Sequence, residues 1–105
     1  MRGTRIDPFL VRFSQDSINH RFRSGETIEE LAADLRNGRV APNSMAPIRL
    51  VERGGLLFTL DNRRLEAFRR AREKVPYRMA TAEEDAEEAW KFTTTNQGVS
   101  VRIRG

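Results

Sequence analysis

GGLLFTLDNRRLEAFRRA, residues Gly54 to Ala71, switches from one backbone period to another within a single turn. Leu56 to Leu60 is a short apolar run of strand type, and it stops abruptly at Asp61-Asn62-Arg63-Arg64. Leu65, Phe68 and Ala71 then recur at intervals of three, which marks one face of a helix. That spacing leaves Arg63, Arg64, Arg69, Arg70 and Arg72 to other faces. Asp61 stands where the helix begins, so its carboxylate is expected to accept from the first-turn N–H groups. Two arginines follow at the helix end that attracts anions. Such a turn suits either a capped helix with solvated arginines or a cradle for phosphate.

Working outward, Pro47 to Val51 is a β-type run, and Arg53-Gly54-Gly55 reads as the hairpin turn joining it to Leu56–Leu60. Thr27 opens an earlier helix in capping-box form, with Glu30 three residues on. Ile28, Leu31, Ala32 and Leu35 form its apolar stripe, and Gly38 is placed to end it. Leu10 to Phe13 reads as a first strand, followed by the polar turn Ser14-Gln15-Asp16-Ser17. After the central helix (about 62–73), Val75 to Met79 reads as a strand, and Pro76 assigns it to a sheet edge. Thr81 caps a third helix whose inner face is expected to be Ala82, Ala86, Ala89 and Trp90. The closing strand, Val99 to Ile103, sets Val99, Val101 and Ile103 on one face. The polar first residues, 1–9, read as a linker or cut end, and 10–105 as one domain. The expected class is α+β, with about five short strands and three helices.

At 105 residues the chain supports one modest core. Its net charge of +4 and pI near 10.6 favour a polyanionic partner, nucleic acid or a nucleotide. With no cysteine, disulfides, thiol chemistry and cysteine zinc sites are excluded, and a single histidine, His20, excludes a multi-histidine metal site. Any metal is therefore a hard cation held by carboxylates and phosphate oxygens, such as Mg2+. No apolar run is long enough to span a bilayer, and the N-terminus lacks the pattern of a signal peptide.

Charge is unevenly placed. From Asp61 to Lys74 six bases face three acids, whereas from Thr81 to Phe92 five acids face one lysine. The two helices either pair with each other, or the basic one faces a phosphate-bearing ligand while the acidic one faces away or docks a partner.

The order of these pieces resembles the ParB/sulfiredoxin-like superfamily, often described as ParB-like nuclease domains. VRFSQDSI (Val11 to Ile18) looks like its first box, a strand and polar turn carrying a glutamine, here Gln15. GETIEELAADLRNG (Gly25 to Gly38) looks like the helix that follows, and APIRLVERGGLLFTL (Ala46 to Leu60) like the hairpin. DNRRLEAFRRA (Asp61 to Ala71) looks like the second box, where backbone and arginine hold nucleotide phosphates. The resemblance covers 11 to about 79. Asn62 replaces the glycine of that box or its neighbour, and asparagine is among the residues that tolerate the left-handed backbone region. The cysteine of sulfiredoxin is absent and no helix-turn-helix follows. What remains resembles the stand-alone C-terminal toxin domains of bacterial polymorphic toxins and secreted effectors, which implies a target-cell cytoplasm and an immunity protein as partner.

The resemblance and the residues together imply a metal-assisted phosphodiesterase acting on nucleic acid, DNA above all. Arg64 would grip a phosphate in bidentate fashion, with Arg63 beside it. Asp61 would hold the divalent cation, and His20 would serve as base. Gln15, Asp16, Arg21, Asn62 and Arg69 complete the expected phosphate- or nucleic-acid-binding set. Trp90 and Phe92 are assigned to the core rather than to base stacking. The alternatives are an ATP- or CTP-dependent hydrolase or kinase using the same turn, and a non-catalytic nucleotide- or DNA-binding module.

Overall fold

The computed structural model describes residues 4–105. The chain runs β1 (Arg5–Ile6), β2 (Arg12–Phe13), β3 (Ser17–Asn19), α1 (Ile28–Arg36), β4 (Ile48–Arg53), β5 (Leu56–Thr59), α2 (Asn62–Ala71), β6 (Val75–Met79), α3 (Ala82–Glu87) and β7 (Arg102–Arg104). Short 3-10 turns occupy Pro8–Leu10, Pro42–Ser44 and Ala89–Lys91. The class is α+β. Five strands form a mixed sheet in the order β1-β6-β4-β5-β2, and β3 pairs with β7 in a second, two-stranded sheet. No helix among the described residues is long and apolar enough to cross a membrane.

The hairpin at the centre follows from its glycines. Gly54 and Gly55 take φ of 60° and 81°, the conformation a two-residue turn demands, and set the register Arg53↔Leu56 to Leu50↔Thr59. Helix α1 starts with the full capping box: Glu30 N–H donates to Thr27 Oγ1 at 3.0 Å, and Thr27 N–H donates to Glu30 Oε1 at 2.7 Å. It buries Ile28, Leu31, Ala32 and Leu35. Helix α2 buries Leu65, Ala67, Phe68 and Ala71, and the two helices pack together over Val11 and the sheet residues Phe13, Ile48, Leu50 and Val75. Burying a side chain the size of Leu65 or Phe68 contributes about 1.5–3 kcal/mol.

Four expectations are corrected. The described part of the supposed linker is structural: Arg5–Ile6 pair antiparallel with β6, and Pro8 is buried. Because β1 covers it, β6 is not an edge strand; Pro76 is tolerated because pairing with β4 begins one residue later, at Ile48↔Tyr77. The first strand is shorter than expected, since Pro8 to Leu10 forms a 3-10 turn capped by Asp7 and only Arg12–Phe13 pair with β5. The alanine face of α3 is outside: α3 contains no buried residue, and Trp90 is 67% exposed.

The last strand also departs from the reading. Only 102–104 pair, in parallel with β3, and Val99 is 56% exposed while Val101 and Ile103 pack against the core. The turn before it is anchored by Gly98, whose carbonyl accepts from Phe13 N–H at 2.9 Å. At φ 71° an added Cβ there would lie 2.2 Å from the Phe13 carbonyl oxygen, so the approach requires glycine.

Candidate functional site

The start of α2 is built from charge pairs rather than from a side-chain cap. The Asp61 side chain accepts no cap hydrogen bond from the first-turn backbone. Its carboxylate instead faces β4, accepting from Arg49 N–H at 2.7 Å, Arg49 Nε at 3.1 Å and Arg49 Nη2 at 2.9 Å. Arg64 Nη2 adds a second guanidinium at 3.0 Å. Burial opposes ionisation of Asp61, but the hydrogen bonds from Arg49 and the charge of Arg64 outweigh it, and its pKa is lowered. Arg49, held by Asp61 and Glu88, is shifted upward. Lys91 joins the same network through Glu88 at 2.5 Å and the Leu60 carbonyl at 2.8 Å.

Asn62 is not a left-handed residue. It is the first helical position of α2, 2% exposed, and its amide faces the first box. Oδ1 accepts from Ser14 N–H at 2.9 Å, while Nδ2 donates to Ser14 Oγ at 3.0 Å and Gln15 Oε1 at 3.2 Å. Its side-chain oxygen and nitrogen are thus both engaged by the protein itself. It ties the glutamine turn to the arginine turn.

Beside this junction lies a cleft of about 570 Å³. Gln15 and the start of α2, Asp61 to Arg64, line it together with Glu88, Trp90 and Lys91 from the segment at and after the end of α3, and Arg23 and Arg104 add two further cations. Arg63 donates to the Arg21 carbonyl at 2.8 Å, and Arg64 donates to the Ala46 carbonyl at 2.6 Å. Each guanidinium keeps further N–H donors for a ligand. Both carboxylates of the lining are compensated, Asp61 by Arg49 and Arg64, and Glu88 by Arg49 and Lys91. Burial raises the pKa of Glu88, but the hydrogen bonds from Lys91 and Arg49 bring the net shift downward.

Of the expected residues, Gln15, Asp61, Asn62, Arg63 and Arg64 meet at the cleft. Four others do not line it. His20 turns Nδ1 toward the Arg104 carbonyl at 3.0 Å. Asp16 pairs with Arg102 at 2.6 Å, and Arg21 donates to the Gly25 carbonyl at 2.7 Å. Arg69 is a structural clamp: it donates to the carbonyls of Pro8 at 3.1 Å, Val99 at 3.0 Å and Val11 at 2.5 Å, with its guanidinium 4.5 Å from the Phe13 ring centroid. Burial lowers its pKa. Arg23, Lys91, Arg104 and Arg49 were missed; the signal for Arg49 was its place between buried Ile48 and Leu50, which aims it at the opposite sheet face.

A divalent cation does not fit at Asp61. Both carboxylate oxygens already face guanidinium groups. No group of three His, Cys, Asp or Glu side chains suited to a metal occurs among the described residues.

The acidic third helix is also accounted for locally. Glu84 pairs with Arg78 at 2.7 Å, Asp85 with Arg53 at 2.7 Å, and Glu88 with Arg49. Arg78 and the cap bond from Thr81 hold the Glu84 pKa at about 2. The acids thus face the arginines of β4 and β6 rather than those of α2.

The fold and the cleft define a small α+β domain with a basic, aromatic-rimmed recess at a strand-to-helix turn. In comparisons with known proteins, no family model, no curated protein and no solved structure matches the chain.

Proposed function

We propose that this domain recognises phosphate on a nucleic acid or nucleotide, bound in the cleft at the start of α2. One observation carries the reading. Arg23, Arg63, Arg64, Lys91 and Arg104 line a single recess whose two carboxylates are already paired with cations. The resemblance to ParB-like domains supports it, because the matching box of that superfamily holds nucleotide phosphates. Guanidinium forks suit that ligand geometrically as well as electrostatically.

Phosphodiester hydrolysis by a toxin or effector domain is the stronger form of this proposal, and consumption of ATP or CTP its alternative. Both require a base or an activated water, and His20 is not among the residues that line the cleft, its Nδ1 facing the Arg104 carbonyl. Binding requires only what the cleft holds, and we place it first.

The test is titration of a labelled oligonucleotide. Arg64→Ala should weaken binding about tenfold and reduce its salt dependence, while melting stays close to the parent because Arg49 still pairs with Asp61. Failure of the parent domain to bind any oligonucleotide or nucleotide overturns the reading. Plasmid, RNA, ATP and CTP incubated with the domain, with and without EDTA, report hydrolysis. Growth arrest on expression in bacteria, lost in Arg64→Ala, would establish the toxin form.

A further inference from the structure

Trp90 is among the most exposed large apolar side chains of the described residues. It lies in the 3-10 turn Ala89–Lys91, 67% exposed, and it lines the same cleft as Arg63 and Arg64. The Lys91 ammonium is 5.7 Å from its ring centroid. A large exposed aromatic ring beside cations is the arrangement with which proteins stack a base while neutralising its phosphate.

We infer that Trp90 is a stacking platform for an unpaired nucleobase, so that the cleft takes a single strand or a nucleotide in preference to duplex nucleic acid. This rests on the phosphate reading above and adds the class of ligand. The phosphate belongs with Arg63 and Arg64 at the start of α2, and the base with Trp90, which lines the same cleft. Duplex is disfavoured for two reasons. Its base faces are covered by stacking, leaving Trp90 nothing to contact. The exposed acids Glu83 and Glu87 of α3, on the same segment as Trp90, also repel the added charge of a second phosphate backbone. A volume of about 570 Å³ accommodates a nucleotide-sized group.

Trp90 is the only tryptophan, so intrinsic fluorescence reports on this ring alone. Four probes separate the contributions: oligothymidylate, the same strand paired with oligoadenylate, an abasic strand of equal length, and thymidine monophosphate. Oligothymidylate should quench Trp90 emission and bind more tightly than the duplex. Trp90→Ala should weaken oligothymidylate about tenfold while leaving the abasic strand unchanged, and Trp90→Phe should recover part of the loss. Quenching by thymidine monophosphate that competes with the strand identifies a nucleotide as the source of the base; quenching by the strand alone identifies a polymer; either supports stacking. Equal binding of oligothymidylate by parent and Trp90→Ala overturns the inference, as does tighter binding of the duplex with unchanged emission. In those cases the phosphate reading survives if Arg64→Ala still weakens the abasic strand. If none of the four probes binds, both fall together.

Discussion

Asn62 and Ser14 lie 48 positions apart in the chain, yet the carboxamide of one closes the turn of the other, with Oδ1 2.9 Å from the Ser14 nitrogen. Through this buried amide the first-box turn and the start of α2 become one rigid unit. It also holds Gln15 beside the helix that carries Arg63 and Arg64.

Asn62→Ala should therefore cost about 1–3 kcal/mol, because it strands the buried Ser14 N–H and leaves a small void. Thermal melting should show a fall of several degrees, and hydrogen exchange should quicken at Ser14. An unchanged Tm with unchanged protection would show that the amide is not a structural tie.

The third helix is attached by charge, so its docking should respond to acid. Asp61, Glu84 and Glu88 all have pKa values lowered by folding, from ordinary values of 3.8 for Asp61 and 4.5 for the two glutamates. The unfolded chain then binds more protons than the folded one in the acid range. Their stabilisation is present above the ordinary values and is lost as pH falls through the folded ones, reaching about 2 for Glu84. Denaturant unfolding between neutral pH and strong acid should show stability falling below about pH 4, and Glu88→Gln should flatten that fall. A profile identical to the parent would show that the Glu88 pairs contribute nothing.

Helix α2 ends on Arg72, which adopts φ 56° and ψ 42°, with its N–H bonded to the Phe68 and Arg69 carbonyls. A left-handed C-terminal position favours glycine, and the arginine side chain is exposed. Arg72→Gly should raise stability by about 0.5–1 kcal/mol, visible as a Tm higher by a few degrees. A lower Tm would mean that the side chain makes an energetic contribution its exposure does not suggest.

Local signals in the sequence were read correctly where the cause was itself local. The Thr27–Glu30 box, the Gly54-Gly55 turn and the Leu65–Phe68–Ala71 stripe each involve neighbours along the chain. The misreadings arose where partners are distant. Asp61 looked like a cap because the competing donor, Arg49, comes from a strand twelve residues earlier. Arg69 looked like a ligand contact because its acceptors, Pro8, Val11 and Val99, are backbone carbonyls from both ends of the chain. The alanines of α3 mimic a core stripe, but the helix is held by ion pairs to Arg49, Arg53 and Arg78 and needs no apolar face. At the cleft, the arginine turn and Gln15 were legible, whereas Trp90 was assigned to the core because nothing in its own neighbourhood distinguishes a buried tryptophan from an exposed one.

The two segments that supply most of the cleft lining are fastened by different forces. Arg63 and Arg64 ride on a helix whose apolar face is sealed into the core, while the α3 segment leading to Trp90 has no buried residue and is moored by ion pairs. Added salt acts on both at once: it competes for the phosphate and it loosens the mooring. Under the proposed phosphate reading, an anionic ligand spanning the recess should accordingly lose affinity with ionic strength more steeply than its own phosphate contacts account for.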